Sequence, residues 1–126
     1  MQTGDPRQLS RLRQGVRDSH EESGRLLSTL LEREPMVRGT VYELRRKCGK
    51  PGCSCATGEP HASLALTWSE EGRTRIRTVP PDRAEQLRLL TERYRRFRKA
   101  RARLVKLQKQ MMERIDRLET ARRQEP

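Results

Sequence analysis

Aromatic side chains make up only 3% of this 126-residue chain: one tryptophan, two tyrosines and one phenylalanine. Hydrophobic residues of every kind reach 32%, against 37% charged. A core of ordinary size cannot be assembled from that material. Short chains so poor in apolar side chains lean on a metal, on disulfides, on oligomerisation, or on long helices that each bury one stripe. Long hydrophobic runs are also missing, which excludes a bilayer-spanning helix. The N-terminal MQTGDPRQLSRLRQ lacks the apolar centre of a secretory signal, so the expected location is the cytoplasm. Cysteine numbers three, an odd count that argues against a closed disulfide framework and fits a reducing compartment. Paired carboxylates, a nucleophile–base pair outside the cysteine-rich loop and a phosphate-cradling glycine motif are all wanting, and an enzyme is not expected.

What the chain has in excess is positive charge. Twenty-nine Lys+Arg face 17 Asp+Glu, for a net charge of +12 and a pI near 10.9. Such a surplus repels itself and attracts polyanions. Nucleic acid is the expected partner, DNA ahead of RNA, which implies a nucleoid-associated protein; an anionic membrane surface is the weaker candidate. The charge is uneven: residues 1–35 sum to zero, 36–80 to +4 and 81–126 to +8.

Three segments follow from the pattern. In residues 1–35, Asp5-Pro6-Arg7-Gln8 has the form of a helix start, with Asp5 as N-cap, Pro6 at the first helical position and Gln8 closing a capping box. Leu9, Leu12, Val16, Ser19, Ser23, Leu26 and Leu30 then keep a 3,4 spacing, a heptad seam with a polar centre. Residues 36–81 read as three short antiparallel strands: Val37–Lys47, Ser63–Trp68 and Arg73–Val79, the last two joined by a Glu70-Glu71-Gly72 turn. Pro80-Pro81 stops the third strand, and Asp82 with Glu85 suggests a capping box opening a helix over 82–126. Its 3,4-spaced series is Leu87, Leu90, Tyr94, Phe97, Arg101, Leu104, Gln108, Met111, Ile115, Leu118 and Arg122. The helix would run about 60 Å. That leaves part of its seam beyond the reach of the shorter N-terminal helix, and a second copy of the chain could cover it. The expected fold is α+β: a helix, a three-stranded sheet with a metal loop, and a long helix able to form a coiled coil.

The loop after the first strand reads Cys48-Gly-Lys-Pro-Gly-Cys53-Ser-Cys55, with His61 six residues further on. Three thiolates and an imidazole within fourteen residues meet the tetrahedral Cys3His demand of structural zinc, and the glycines and Pro51 supply the tight turns. A closed shell of four leaves no place for a reacting water. The spacing departs from the usual paired form, and three reduced thiols beside a solvent-facing histidine is the competing reading.

Arg93 to Met112, RYRRFRKARARLVKLQKQMM, holds nine basic residues and no acidic one. A solvated helix face normally mixes both signs, as Glu113-Arg114-Asp116-Arg117-Glu119 does in the same helix. Unrelieved repulsion three and four residues apart costs a few tenths of a kcal/mol per pair, and phosphates would relieve it. The candidate contacts here are Arg93, Arg95, Arg96, Arg98, Lys99, Arg101, Arg103 and Lys106. Arg73, Arg75 and Arg77 form a second group, on one face of a strand by period two, either a groove-reading ribbon or a generic exposed hairpin. Trp68 and Tyr42 read as core residues of a thin sheet more readily than as base-stacking platforms.

Taken together, Arg38-Gly39-Thr40, the Cys48–Cys55 motif, Gly58-Glu59-Pro60-His61, Leu66-Thr67-Trp68, Gly72-Arg73-Thr74-Arg75, Val79-Pro80 and Tyr94-Arg-Arg-Phe97 resemble a small uncharacterised family. Its members occur in bacteria and archaea, often near transposase genes. The similarity spans roughly residues 36–105 and departs from the family at Ala62-Ser63-Leu64-Ala65, where a bulkier aromatic strand is usual. The resemblance implies DNA transactions of a mobile element. The reading is therefore a zinc-stapled, dimeric nucleic-acid-binding accessory protein, with a coiled-coil adaptor recruiting a transposase as the alternative.

Overall fold

Residue 5 starts the first element for the reason the sequence suggests. The Asp5 carboxylate accepts the backbone N–H of Arg7 (3.0 Å) and Pro6 occupies the first turn, where its missing donor costs nothing. Helix α1 then runs Pro6–Leu30. The computed structural model describes residues 5–46, 49–53, 58 and 61–126, with Arg46 and His61 described by their backbone. The remaining elements are β1 (Thr40–Arg46), β2 (His61–Glu70), β3 (Arg73–Val79) and α2 (Ala84–Arg122). The fold is α+β. No helix among the described residues is long and apolar enough to cross a membrane.

The strands form an antiparallel meander in the order β1-β2-β3. Glu71 (φ 51°) and Gly72 (φ 77°) both take the left-handed region, the backbone demanded by a two-residue hairpin whose twist matches its strands. Helix α2 opens differently from expectation. A 3-10 turn over Pro81–Arg83 precedes it, and no side chain caps that turn, so the Asp82–Glu85 box is replaced by a proline-led start at Ala84.

The chain divides into two compact units: Glu34–Arg95, and Met1–Arg33 with Arg96–Pro126. In the first, Leu66, Val79 and Ala84 are buried, and Val37, Val41, Leu64, Trp68 and Leu87 pack around them. The Val37 N–H donates to the Leu90 carbonyl (3.1 Å), tying the approach to β1 onto α2. Leu87 therefore spends apolar surface within this unit. Ala65, 2% exposed, has Tyr42 and Thr78 as its register partners on the opposite sheet face.

In the second unit α1 and the later part of α2 pair antiparallel, Gly15 meeting Arg114, Glu22 meeting Arg103 and Glu32 meeting Arg96. All seven α1 seam positions, from Leu9 to Leu30, are buried or half-buried. On α2 the covered series is Ala100, Leu104, Leu107, Met111, Arg114, Leu118 and Ala121. This is the expected 3,4 alternation, but Arg101, Gln108, Ile115 and Arg122 give way to the residues just before them. Leu107 and Ala100 are 3% and 5% exposed, whereas Arg101 and Gln108 are exposed. At 100 and 107 the reason is chemical, since Ala and Leu bury at little cost and a guanidinium at 101 would not; at 114 the arginine that takes the place of Ile115 is held by a bond to Ser19.

The seam's centre is polar on both sides. Arg114 Nη1 donates to Ser19 Oγ (3.0 Å), and Ser23 Oγ donates to the Ser19 carbonyl (2.7 Å). Gly15 makes this layer possible, because a Cβ there would stand 2.8 Å from Arg114 Nε. An alanine, the better helix former by about 1 kcal/mol, would have to displace that arginine.

Candidate nucleic-acid interface

At about 100° per residue, the α2 stripe formed by Ala100, Leu107 and Leu118 lies opposite an arc carrying Arg98, Lys99, Arg101, Lys106 and Lys109. All five side chains are exposed, and none has an ion-pair partner among the described residues. They occupy roughly 16 Å of helix. Glu92 closes the arc on one side in sequence, and Glu113 with Asp116 on the other. This is where the repulsion predicted from sequence stays unrelieved.

The other cations of the run are already engaged. Arg103 makes a two-pronged pair with Glu22, Nε to Oε2 at 2.6 Å and Nη2 to Oε1 at 3.0 Å. The hydrogen bond from Arg103 holds the Glu22 carboxyl below its usual range, against a smaller opposing cost of desolvation, and the same bond raises Arg103. Arg96 Nη2 reaches Glu32 Oε1 at 2.9 Å, and Arg95 Nη1 reaches Glu92 Oε2 at 2.7 Å. Arg93 Nη1 donates to the Pro35 carbonyl (3.2 Å). Of the eight α2 residues singled out from sequence, the structure leaves Arg98, Lys99, Arg101 and Lys106 unpaired. It adds Lys109, which shares their arc and which helical spacing alone could have included.

Cross-strand register decides which sheet face the β3 arginines share. Directly opposed residues of an antiparallel ladder project to the same side. Leu66 pairs with Arg77, Trp68 with Arg75 and Glu70 with Arg73, so the arginines continue the apolar face of β2 outward to solvent. Arg75 Nε approaches Glu70 Oε2 at 3.8 Å, and the Arg77 guanidinium carbon lies 6.0 Å from the Trp68 ring centre. Trp68 Nε1 donates to Glu70 Oε2 (3.2 Å) while the ring packs beside the core cluster, as a half-buried sheet residue.

Of the proposed metal ligands, Cys48 and Cys55 lie outside the described residues, as does the His61 side chain. Cys53 is half-buried. Of the surrounding segment, residues 49–53 and 58 are described. Arg46 pairs with His61, so the segment carrying the three cysteines leaves and re-enters the sheet at one pair. Within it, the Cys53 N–H donates to the Lys50 carbonyl (3.1 Å), closing a turn over Pro51-Gly52, and Gly49 has φ 81°. Soft sulfur donors and an imidazole in such a loop fit zinc chemistry.

No curated protein and no solved structure matches the chain. Residues 8–89 match the family described as "Domain of unknown function (DUF6788)". That span takes in most of α1 and the whole sheet and ends at Leu89, short of the basic run, whereas the resemblance drawn from the motifs begins only at the approach to β1. With more than half its length matched, the chain belongs to the DUF6788 family.

Proposed function

We propose that this chain is a nucleic-acid-binding accessory or regulatory protein, with DNA as its main ligand and no catalytic activity. The observation that carries this reading is the outward arc of α2. Five cations stand together there without carboxylates, while neighbouring arginines on the α1 side are matched one by one. Solvation alone gives no reason for that segregation, whereas a row of phosphates does. Cys48, Cys53, Cys55 and His61 would hold a structural zinc. Bound metal supplies folding energy that a chain with so small a core otherwise lacks. A role beside a transposase, in the nucleoid, is the biological setting that the resemblance suggests.

Salt titration of duplex binding tests the reading. Affinity should fall steeply with salt, and Arg98→Ala and Arg101→Ala should each flatten the log–log slope by about one unit. Purified protein, free of co-purifying polynucleotide, that ignores both duplex and single strands in dilute buffer would sink it. A helical adaptor is the second reading. It is favoured by Val105, Met112 and Ile115, which are 52%, 55% and 38% exposed and keep a 7,3 spacing along α2. A second copy of the chain, or a larger enzyme, would cover that stripe, and nucleic-acid binding would then be weak and nearly salt-independent.

A further inference from the structure

We propose that a notch on the sheet takes one unpaired nucleotide, its base against the Trp68 ring and its phosphate between Arg38 and Arg77. The inference rests on the nucleic-acid reading above but on different residues, and it narrows the ligand to a strand with accessible base faces.

The notch has a volume of about 260 Å³ and is lined by Val37, Arg38, Leu66, Trp68 and Arg77. Leu66, 8% exposed, gives it an apolar floor. The bond from Trp68 Nε1 to Glu70 satisfies the indole's one donor and fixes the ring's plane, so its remaining capacity is dispersion and π-contact. The Arg77 guanidinium stands over the ring at 6.0 Å, the outer limit of a cation–π contact, so only a weak contact has to give way to a stacking base. Arg75 has Glu70 nearby, whereas Arg38 and Arg77 have no carboxylate partner among the described residues. Two unneutralised guanidiniums beside an aromatic ring match the two halves of a nucleotide, anion and π-face.

The approach of Arg38 is built into the backbone. Gly39 has φ 132°, and a Cβ there would fall 2.5 Å from the Thr67 carbonyl, 2.9 Å from Leu66 Cδ1 and 3.3 Å from Trp68 Cβ. Only glycine lets the segment lie that close to β2. Paired bases bury their faces against each other, so a duplex cannot present one to Trp68 without first flipping it out.

Trp68 is the only tryptophan, so intrinsic fluorescence of the full chain reads the notch directly. Titration with a short oligothymidylate should quench it saturably, whereas a duplex of equal length and inorganic polyphosphate should not. By anisotropy of a labelled single strand, W68L should weaken binding roughly tenfold and W68F should largely restore it. R38Q, at an exposed position clear of the core, should weaken the single strand several-fold and the duplex little. The proposal falls if polyphosphate quenches as the oligonucleotide does, or if W68L and R38Q both bind the single strand like wild type. Should duplex binding with a steep, α2-dependent salt slope persist in that case, the interface reading survives without the notch. Absence of binding to any polynucleotide overturns both.

Discussion

The two compact units differ in where their arginines find partners: across two helices in one, within a single element or hairpin in the other. In the helical unit, arginines on the α1 side meet carboxylates or hydroxyls: Arg96 with Glu32, Arg103 with Glu22, Arg114 with Ser19. In the sheet unit, Arg75 and Arg77 prolong an apolar face; Arg75 still approaches Glu70, and Arg77 stands over the Trp68 ring. The helical pairing makes the remainder informative. Because α1 carries its own acidic residues to the shared seam, the cations left on the far side of α2 are those with no ion-pair partner among the described residues.

The largest effect expected to separate the units is loss of metal. Structural zinc can supply ~10 kcal/mol or more to a small module, so chelation or Cys53→Ser should unfold the sheet while much helix remains. Far-ultraviolet circular dichroism beside Trp68 fluorescence would follow both, and a melt indifferent to chelator would remove zinc from the account. Next comes the contrast between outward and inward arginines. Arg98→Ala should take about one unit from the salt slope of DNA binding, and Arg103→Ala well under half of that, because Glu22 already occupies Arg103. Equal effects would abolish the distinction between the two sides of α2.

Two glycines of α1 sharpen the picture at smaller magnitude. Gly24 has nothing near its missing Cβ, so Gly24→Ala should stabilise by ~0.5–1 kcal/mol in urea unfolding. Gly15→Ala should destabilise the wild type, because Arg114 is in the way, and should turn stabilising by a similar amount once Arg114→Ala clears the space. The smallest effect concerns pH. The Glu22 carboxyl is lowered in the folded chain by its bond to Arg103, so the stabilisation is present above the unfolded carboxylate's pKa and is lost as pH falls through the folded one. Glu22→Gln should therefore flatten the stability profile on the acid side and lose its difference from wild type at the lowest pH; an unchanged acid limb would show that solvent screens the pair.

Much of this was readable along the chain. Asp5-Pro6 starts α1 through local hydrogen bonding, and the α1 seam stands where its spacing puts it. β3 spans Arg73–Val79 because a tight Glu-Gly turn bounds one end and prolines the other. The α2 seam was legible only in period. Leu104, Met111 and Leu118 border two adjacent stripes, and nothing within α2 says whether Arg101 or Ala100 completes the covered one. The face of the β3 arginines was hidden for a similar reason, since alternation gives two faces but cross-strand register decides which of them joins Trp68.

Charge surplus, the start of α1, the span of β3 and the polar centre of the first seam were set by the sequence itself, because each depends on residues a few positions apart. Which cations are neutralised was decided only in three dimensions. Glu22 and Arg103 are separated by 81 residues, and Arg114 lies 99 from the glycine that makes room for it. Coulombic and steric terms of that kind exist only once the helices have chosen their facing sides, so the unpaired arc on α2 is a property of the fold.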